Sequence, residues 1–113
     1  VVKVYGIKNC DSVRKALKYL KSHGVEFEFI DFRETPVSES EISQWLKYCE
    51  IDTLFNTRGT TYRTLKLKEL NLDHGGKKAW LAKENMLIKR PVITLDNDVI
   101  VGYNENLYNE KLQ

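Results

Sequence analysis

A chain of 113 residues, 42% hydrophobic and 30% charged, is the size of one packed domain and too apolar to remain disordered. Its formal net charge of +2 supplies no field for direct nucleic-acid binding, and no apolar run approaches the ~20 residues that cross a bilayer, so neither a nucleic acid nor a membrane is an expected partner. Two cysteines without a Cys/His cluster at metal spacing argue against a disulfide-stapled or metal-bound domain. They fit free thiols in a reducing cytoplasm, with no signal peptide expected ahead of the first strand and no tightly bound cofactor.

Val1-Val2-Lys3-Val4-Tyr5 contains β-branched residues and predicts a strand, which Gly6 breaks. Val13, Ala16, Leu17 and Leu20 then recur at i, i+3, i+4 and i+7, the spacing of a helix. Cys10 stands at the junction, on the loop or first turn. Unpaired N–H groups and the positive end of the helix dipole favour an anion there. A thiol so placed tends toward the thiolate, which is the nucleophile. Arg14, one turn on, adds positive charge. The alternative is that Cys10 is an ordinary small apolar residue. Asn9 either hydrogen-bonds the thiolate or a substrate carboxylate, or simply turns the chain.

Lys21 suits the last turn of this helix and Gly24 the left-handed position that ends it. Val25 to Ile30 predicts a second strand, and the strand–helix–strand order predicts parallel pairing. Ser38-Glu39-Ser40-Glu41 has the capping-box form and opens a helix carrying Ile42, Trp45, Leu46 and Cys49, which puts Cys49 on its apolar face. Beyond a turn-rich stretch, Thr60 or Thr61 is expected to cap a helix with Tyr62, Leu65 and Leu67. Asn71 to Gly76 is a break. A further helix is expected to hold Ala79, Trp80, Leu81 and Met86-Leu87-Ile88. His23 and His74 fall at helix ends or turns and are expected to face solvent. Pro91 to Leu95 and Val99 to Gly102 form a hairpin about Asp96-Asn97-Asp98, and a short helix begins near Asn104. The order is that of an α/β, thioredoxin-like sheet, βαβ then ββα, in a single domain over 1–113 with a helical insertion at about 36–88.

Three blocks resemble the arsenate reductase-like (ArsC) family, which also holds the Spx transcription regulators and the YffB-type proteins. They are Tyr5-Gly6-Ile7-Lys8-Asn9-Cys10-Asp11 with Arg14-Lys15-Ala16, Asn56-Thr57-Arg58-Gly59-Thr60-Thr61-Tyr62-Arg63, and Ile88-Lys89-Arg90-Pro91-Val92 with Val101-Gly102-Tyr103. The first two look closest to the YffB type. The resemblance implies a thioredoxin-like fold with a helical insertion and Cys10 as the catalytic thiol in a Cys-x3-Arg loop with Arg14. It also implies a cis Pro91, and Arg90 pointing to the sulfur of Cys10. In arsenate-reducing members the thiolate attacks arsenate, glutathione attacks the cysteine-bound arsenic, and a glutaredoxin resolves the mixed disulfide.

Those members use three arginines around the oxyanion. Arg90 matches one. The second would fall near Asn56, two residues from Arg58, and the third near Val101-Gly102, where this chain has no arginine. Spx members carry Cys-x-x-Cys, whose second position is Val13 here. The expected function is therefore a glutathione-dependent thiol–disulfide oxidoreductase, with Cys10 and Arg90 catalytic and Asn9, Arg14, Arg58 and Pro91 binding substrate. Glutathione is the expected co-substrate. One alternative is an arsenate reductase coupled to glutathione and glutaredoxin. Another is an Spx-like regulator that binds the RNA polymerase α subunit without a redox switch.

Overall fold

The structure is a computed structural model that describes residues 1–112. The chain divides into two compact units, one formed by Val1–Thr35 with the segment from Arg90 onward, the other by Pro36–Lys89.

The first unit is built on a four-stranded sheet. Strands β1 (Val2–Gly6), β2 (Phe27–Asp31), β3 (Val92–Leu95) and β4 (Asp98–Val101) lie in the order β2-β1-β3-β4. β1 pairs β2 in parallel, while β1–β3 and β3–β4 are antiparallel. With helix α1 (Asp11–Ser22) after β1 and a last helix (Glu105–Lys111) after β4, this is the thioredoxin-like α/β arrangement expected from the element order. β2 starts at Phe27, two residues later than the alternation suggests. Gly6 does not break β1 but ends it inside the ladder, paired with Asp31.

Helix α1 buries Val13, Ala16 and Leu20 of the stripe that its periodicity announces, with Tyr19 buried in addition and Leu17 only half-buried. It stops where expected: Lys21 lies in the last turn and Gly24 adopts φ +66°. The core joins Val4, Ala16, Leu20, Ile93, Ile100 and Tyr108. Full burial of each large aliphatic side chain contributes about 1.5–3 kcal/mol. Tyr108 is fully buried, and its hydroxyl donates to the Gly102 carbonyl at 2.6 Å. Desolvation holds its phenol well above the usual tyrosine range.

The second unit holds four short helices, α2 (Glu39–Trp45), α3 (Ile51–Leu54), α4 (Thr60–Thr64) and α5 (His74–Lys83), with 3₁₀ turns at Leu67–Leu70 and Asn85–Leu87. In chain order the last helix, Glu105–Lys111, is then α6. The capping box at Ser38 forms as read: its hydroxyl accepts from Glu41 N–H, and the Glu41 carboxylate accepts from Ser38 N–H. Three expectations here need correction. α2 ends at Trp45, so Cys49 lies beyond it in a turn, half-buried, its thiol donating to the Trp45 carbonyl. Gly59, not Thr60 or Thr61, is the N-cap of α4, which carries Tyr62 but ends at Thr64, short of Leu65 and of Leu67 in the following 3₁₀ turn. α5 stops at Lys83, because Asn85 turns the chain and Ile88 bridges Phe55 in extended form.

Asn85 explains that turn. It is 8% exposed and uses its whole amide: Oδ1 accepts from Val37 N–H at 2.9 Å, and Nδ2 donates to the carbonyls of Val37 at 3.2 Å and Leu81 at 2.9 Å. A second pair of bonds, Asn56 N–H to the Leu87 carbonyl and Lys89 N–H to the Leu54 carbonyl, each 2.8 Å, flanks the Phe55–Ile88 bridge.

Candidate functional site

Strand register fixes which residues meet at one end of the sheet in the first unit. Tyr5 lies opposite Val92, and Val92 opposite Val101. The loop Ile7-Lys8-Asn9-Cys10 therefore leaves β1 at the end where Arg90-Pro91 enters β3 and Gly102 leaves β4. Gly102, at φ +84°, donates its N–H to the Pro91 carbonyl at 2.7 Å. The Arg90–Pro91 peptide is cis. Pro91 is buried; Arg90 is half-buried, with its Nε shielded from solvent.

Cys10 is the N-cap of α1, with extended backbone at φ −129° and ψ 124°. Its carbonyl accepts from Arg14 N–H at 2.9 Å. The residue is half-buried and its side chain makes no cap hydrogen bond, so it leaves the first N–H groups of this three-turn helix unconsumed. Asn9 is exposed in the turn just before it.

Arg14 is also exposed, and its guanidinium pairs with the Asp11 carboxylate one turn back. The positive charge expected from Arg14 thus arrives with a negative one beside it. Arg58 belongs to the second unit, where it is exposed; its N–H bonds the Asn56 side chain at 3.1 Å, and its carbonyl accepts from the Arg63 guanidinium at 2.7 Å. Cys10, Arg14, Asn9, Arg90 and Pro91 all belong to the first unit.

Val13, the position that a second cysteine would take, is fully buried. It packs against Gly6 so closely that a Cβ there would stand 2.6 Å from Val13 Cγ2. Sequence inspection missed Asp31, a carboxylate only 7% exposed at the same sheet end. It accepts from Arg33 N–H at 2.8 Å, and its carbonyl takes the N–H groups of Glu34 and Thr35. The signal was present, since an aspartate closing an apolar strand is a turn former. Both histidines are exposed, as expected; His23 stacks on Tyr19 at 3.9 Å between ring centroids. Among the described residues no three or more His, Cys, Asp or Glu gather as a metal-ligand set, and no helix is long and apolar enough to cross a membrane.

The sequence matches the ArsC family over residues 5–111. It is 39% identical over 109 residues to an uncharacterised protein of Haemophilus influenzae, with 96% of each chain covered. It is 29% identical over 100 residues to the global transcriptional regulator Spx of Streptococcus pyogenes, covering 87% of this chain and 75% of that one. The solved structure of the YffB protein superposes with a TM-score of 0.94 at 29% identity, covering all of both chains. The chain belongs to the ArsC family.

Proposed function

We propose that this protein is a glutathione-dependent thiol–disulfide oxidoreductase that works through Cys10 alone. The observation that carries it is the placement of Cys10: a half-buried thiol at the N-terminus of α1, at the sheet end where Arg90-Pro91 enters β3. The Cys10 thiolate attacks a glutathionylated disulfide at the glutathione sulfur. The S–S bond breaks, the substrate thiolate leaves and takes a proton, and Cys10 carries glutathione as a mixed disulfide. The thiolate of a second glutathione attacks the glutathione sulfur of that adduct, releasing oxidised glutathione and returning the Cys10 thiolate. Exposed Asn9 and Arg14 flank the thiol on its own loop and first turn, where they can meet the carboxylates of glutathione. Arg90 and Pro91 support the thiol from the strand side.

Cys10→Ser should abolish turnover of a glutathionylated peptide, and Cys49→Ser should keep most of it. Activity retained in the Cys10 variant would refute the reading. Arsenate reduction, coupled to glutathione and glutaredoxin, is less well supplied. A doubly charged oxyanion needs several bidentate donors, and this chain has Arg90 but no arginine near Val101-Gly102. An arsenate-dependent glutathione oxidation no higher than that of the Cys10→Ser control would remove it.

The similarity to Spx favours a second reading, a regulator that binds the RNA polymerase α subunit. With Val13 filling the place of a second thiol, such a regulator would lack an internal disulfide switch. Pull-down of the isolated α subunit tests it, and absence of binding ends it. Either role fits a reducing cytoplasm.

A further inference from the structure

We infer that the second unit carries its own binding site for a small phosphate ester with a flat apolar body, separate in chemistry from the thiol. A cleft of about 470 Å³ opens among α3, α4, the Leu67–Leu70 turn and α5. That volume lies within the range of small-molecule pockets, roughly 300–1,000 Å³. Its walls are of two kinds. Phe55 and Leu67 are nearly fully buried and give an apolar floor, with the Tyr62 ring standing edge-on to Phe55 at 5.9 Å. The same cleft is lined by Lys68, Lys77 and Lys89, against the single carboxylate of Asp52.

The charges are not mutually satisfied. Lys77 bonds Asp52 at 2.7 Å. Lys68 and Lys89 line the same cleft and hold no ion pair among the described residues. Asp52 records the local field: its carboxyl is held below the usual carboxylate range by the Lys77 hydrogen bond and charge, with His74 and Lys89 adding. A solvated lysine face would not need a concave aromatic floor, and an apolar pocket would not need unpaired ammonium groups at its rim. Together they suit a ligand whose charge meets Lys68 and Lys89 and whose ring lies on Phe55. Lysine serves here because a compact ammonium attracts phosphate without requiring the bidentate geometry of arginine.

The wall is also held in a defined shape. Lys66 at φ +53° and Asn71 at φ +47° bracket Leu67–Leu70 in the left-handed region, where residues with a side chain are uncommon. That bracket presents Leu67 and Lys68 to the cleft together.

The test is an amide-resolved NMR titration of the ¹⁵N-labelled full chain, kept reduced, with phenyl phosphate, inorganic phosphate and benzyl alcohol. Phenyl phosphate should saturate with a Kd on the order of 1 mM or tighter, shifting amides around Phe55, Tyr62 and Leu67. Inorganic phosphate and benzyl alcohol should each bind about tenfold more weakly. Lys68→Gln with Lys89→Gln should lose binding, while Lys68→Arg with Lys89→Arg should keep it; both lysines are exposed, so neither pair perturbs the core. The inference is overturned by a non-saturating response, by equal affinity for inorganic phosphate or benzyl alcohol, by shifts elsewhere, or by indifference to the glutamine pair.

Discussion

Val13 Cγ2 lies 2.6 Å from the point where a Cβ on Gly6 would stand, so the last residue of β1 and the first turn of α1 meet without room for a methyl group. The contact sets how closely the Cys10 helix approaches the sheet. Gly6→Ala should destabilise the protein by about 1–3 kcal/mol, the usual cost of overpacking. Adding Val13→Ala should recover part of that loss, although Val13→Ala alone leaves a void and is itself destabilising. Urea unfolding of the two single variants and the double variant measures the coupling. Strict additivity would show that the contact is not shared.

Asp11 and Arg14 form an exposed ion pair on the first turn of α1, 83% and 59% exposed. Asp11→Asn removes a negative charge beside the thiol and releases the guanidinium, which favours the anionic nucleophile. The rate of Cys10 alkylation by iodoacetamide at neutral pH should rise about twofold, a size set by solvent screening. Arg14→Gln should lower it by a similar factor. An Arg14→Gln variant that reacts faster would reverse the assignment.

Asn85 engages both ends of its buried amide with backbone partners. Asn85→Ala leaves Val37 N–H and two carbonyls without it, and should cost about 1–3 kcal/mol or more in urea unfolding. Asn85→Asp should be no better, because a carboxylate accepts from Val37 but donates to neither carbonyl. Unchanged stability in both variants would mean that water replaces the amide.

Asp98 and Lys111 tie the β3–β4 hairpin to the last turn of α6 at 2.5 Å. The Lys111 hydrogen bond holds the Asp98 carboxyl below its usual range, aided by Val99 N–H. A depressed folded-state value means that this stabilisation is complete above the unfolded value of about 3.9. It is lost as pH falls through the lower folded value. Asp98→Asn should therefore lower the melting temperature slightly at pH 7, by about 2 °C for a pair whose side chains are still 30% and 36% exposed. The difference should shrink as pH falls below the unfolded carboxylate value. A gap that persists in acid would locate the effect in packing rather than charge.

Local signals with a stated mechanism were legible in the sequence. Ser38 caps α2, Asn104 caps α6 through Leu107 N–H, Gly24 ends α1, and the hairpin turns at Asp96 and Asn97, one residue tighter than expected because Asp98 already belongs to β4. The ends of the helices in the insertion were less legible. Periodicity carried α2 on to Cys49 and α5 on to Ile88, because apolar residues continue at helical spacing in turns that are buried for tertiary reasons. α3 has only four residues, too few to show a period. Of the candidate site, Cys10 was legible from its position between a strand and an apolar stripe. The ion pair that occupies Arg14 and the contact that fills position 13 were not, since both depend on how α1 is rotated against β1.

The Val37–Asn85 bonds join points near the start and end of Pro36–Lys89, and the Phe55–Ile88 bridge closes it again. In polymer terms, the sheet does not see a long loop between β2 and β3. It sees a short one, because the intervening chain is already stitched near both ends. Loop-closure entropy grows as about (3/2)RT ln n, so the stitch spares β3 roughly 1–2 kcal/mol in finding β1. The insertion can therefore vary in length and content among relatives at little cost to the strand pairing that holds Cys10 and Pro91 at one end of the sheet.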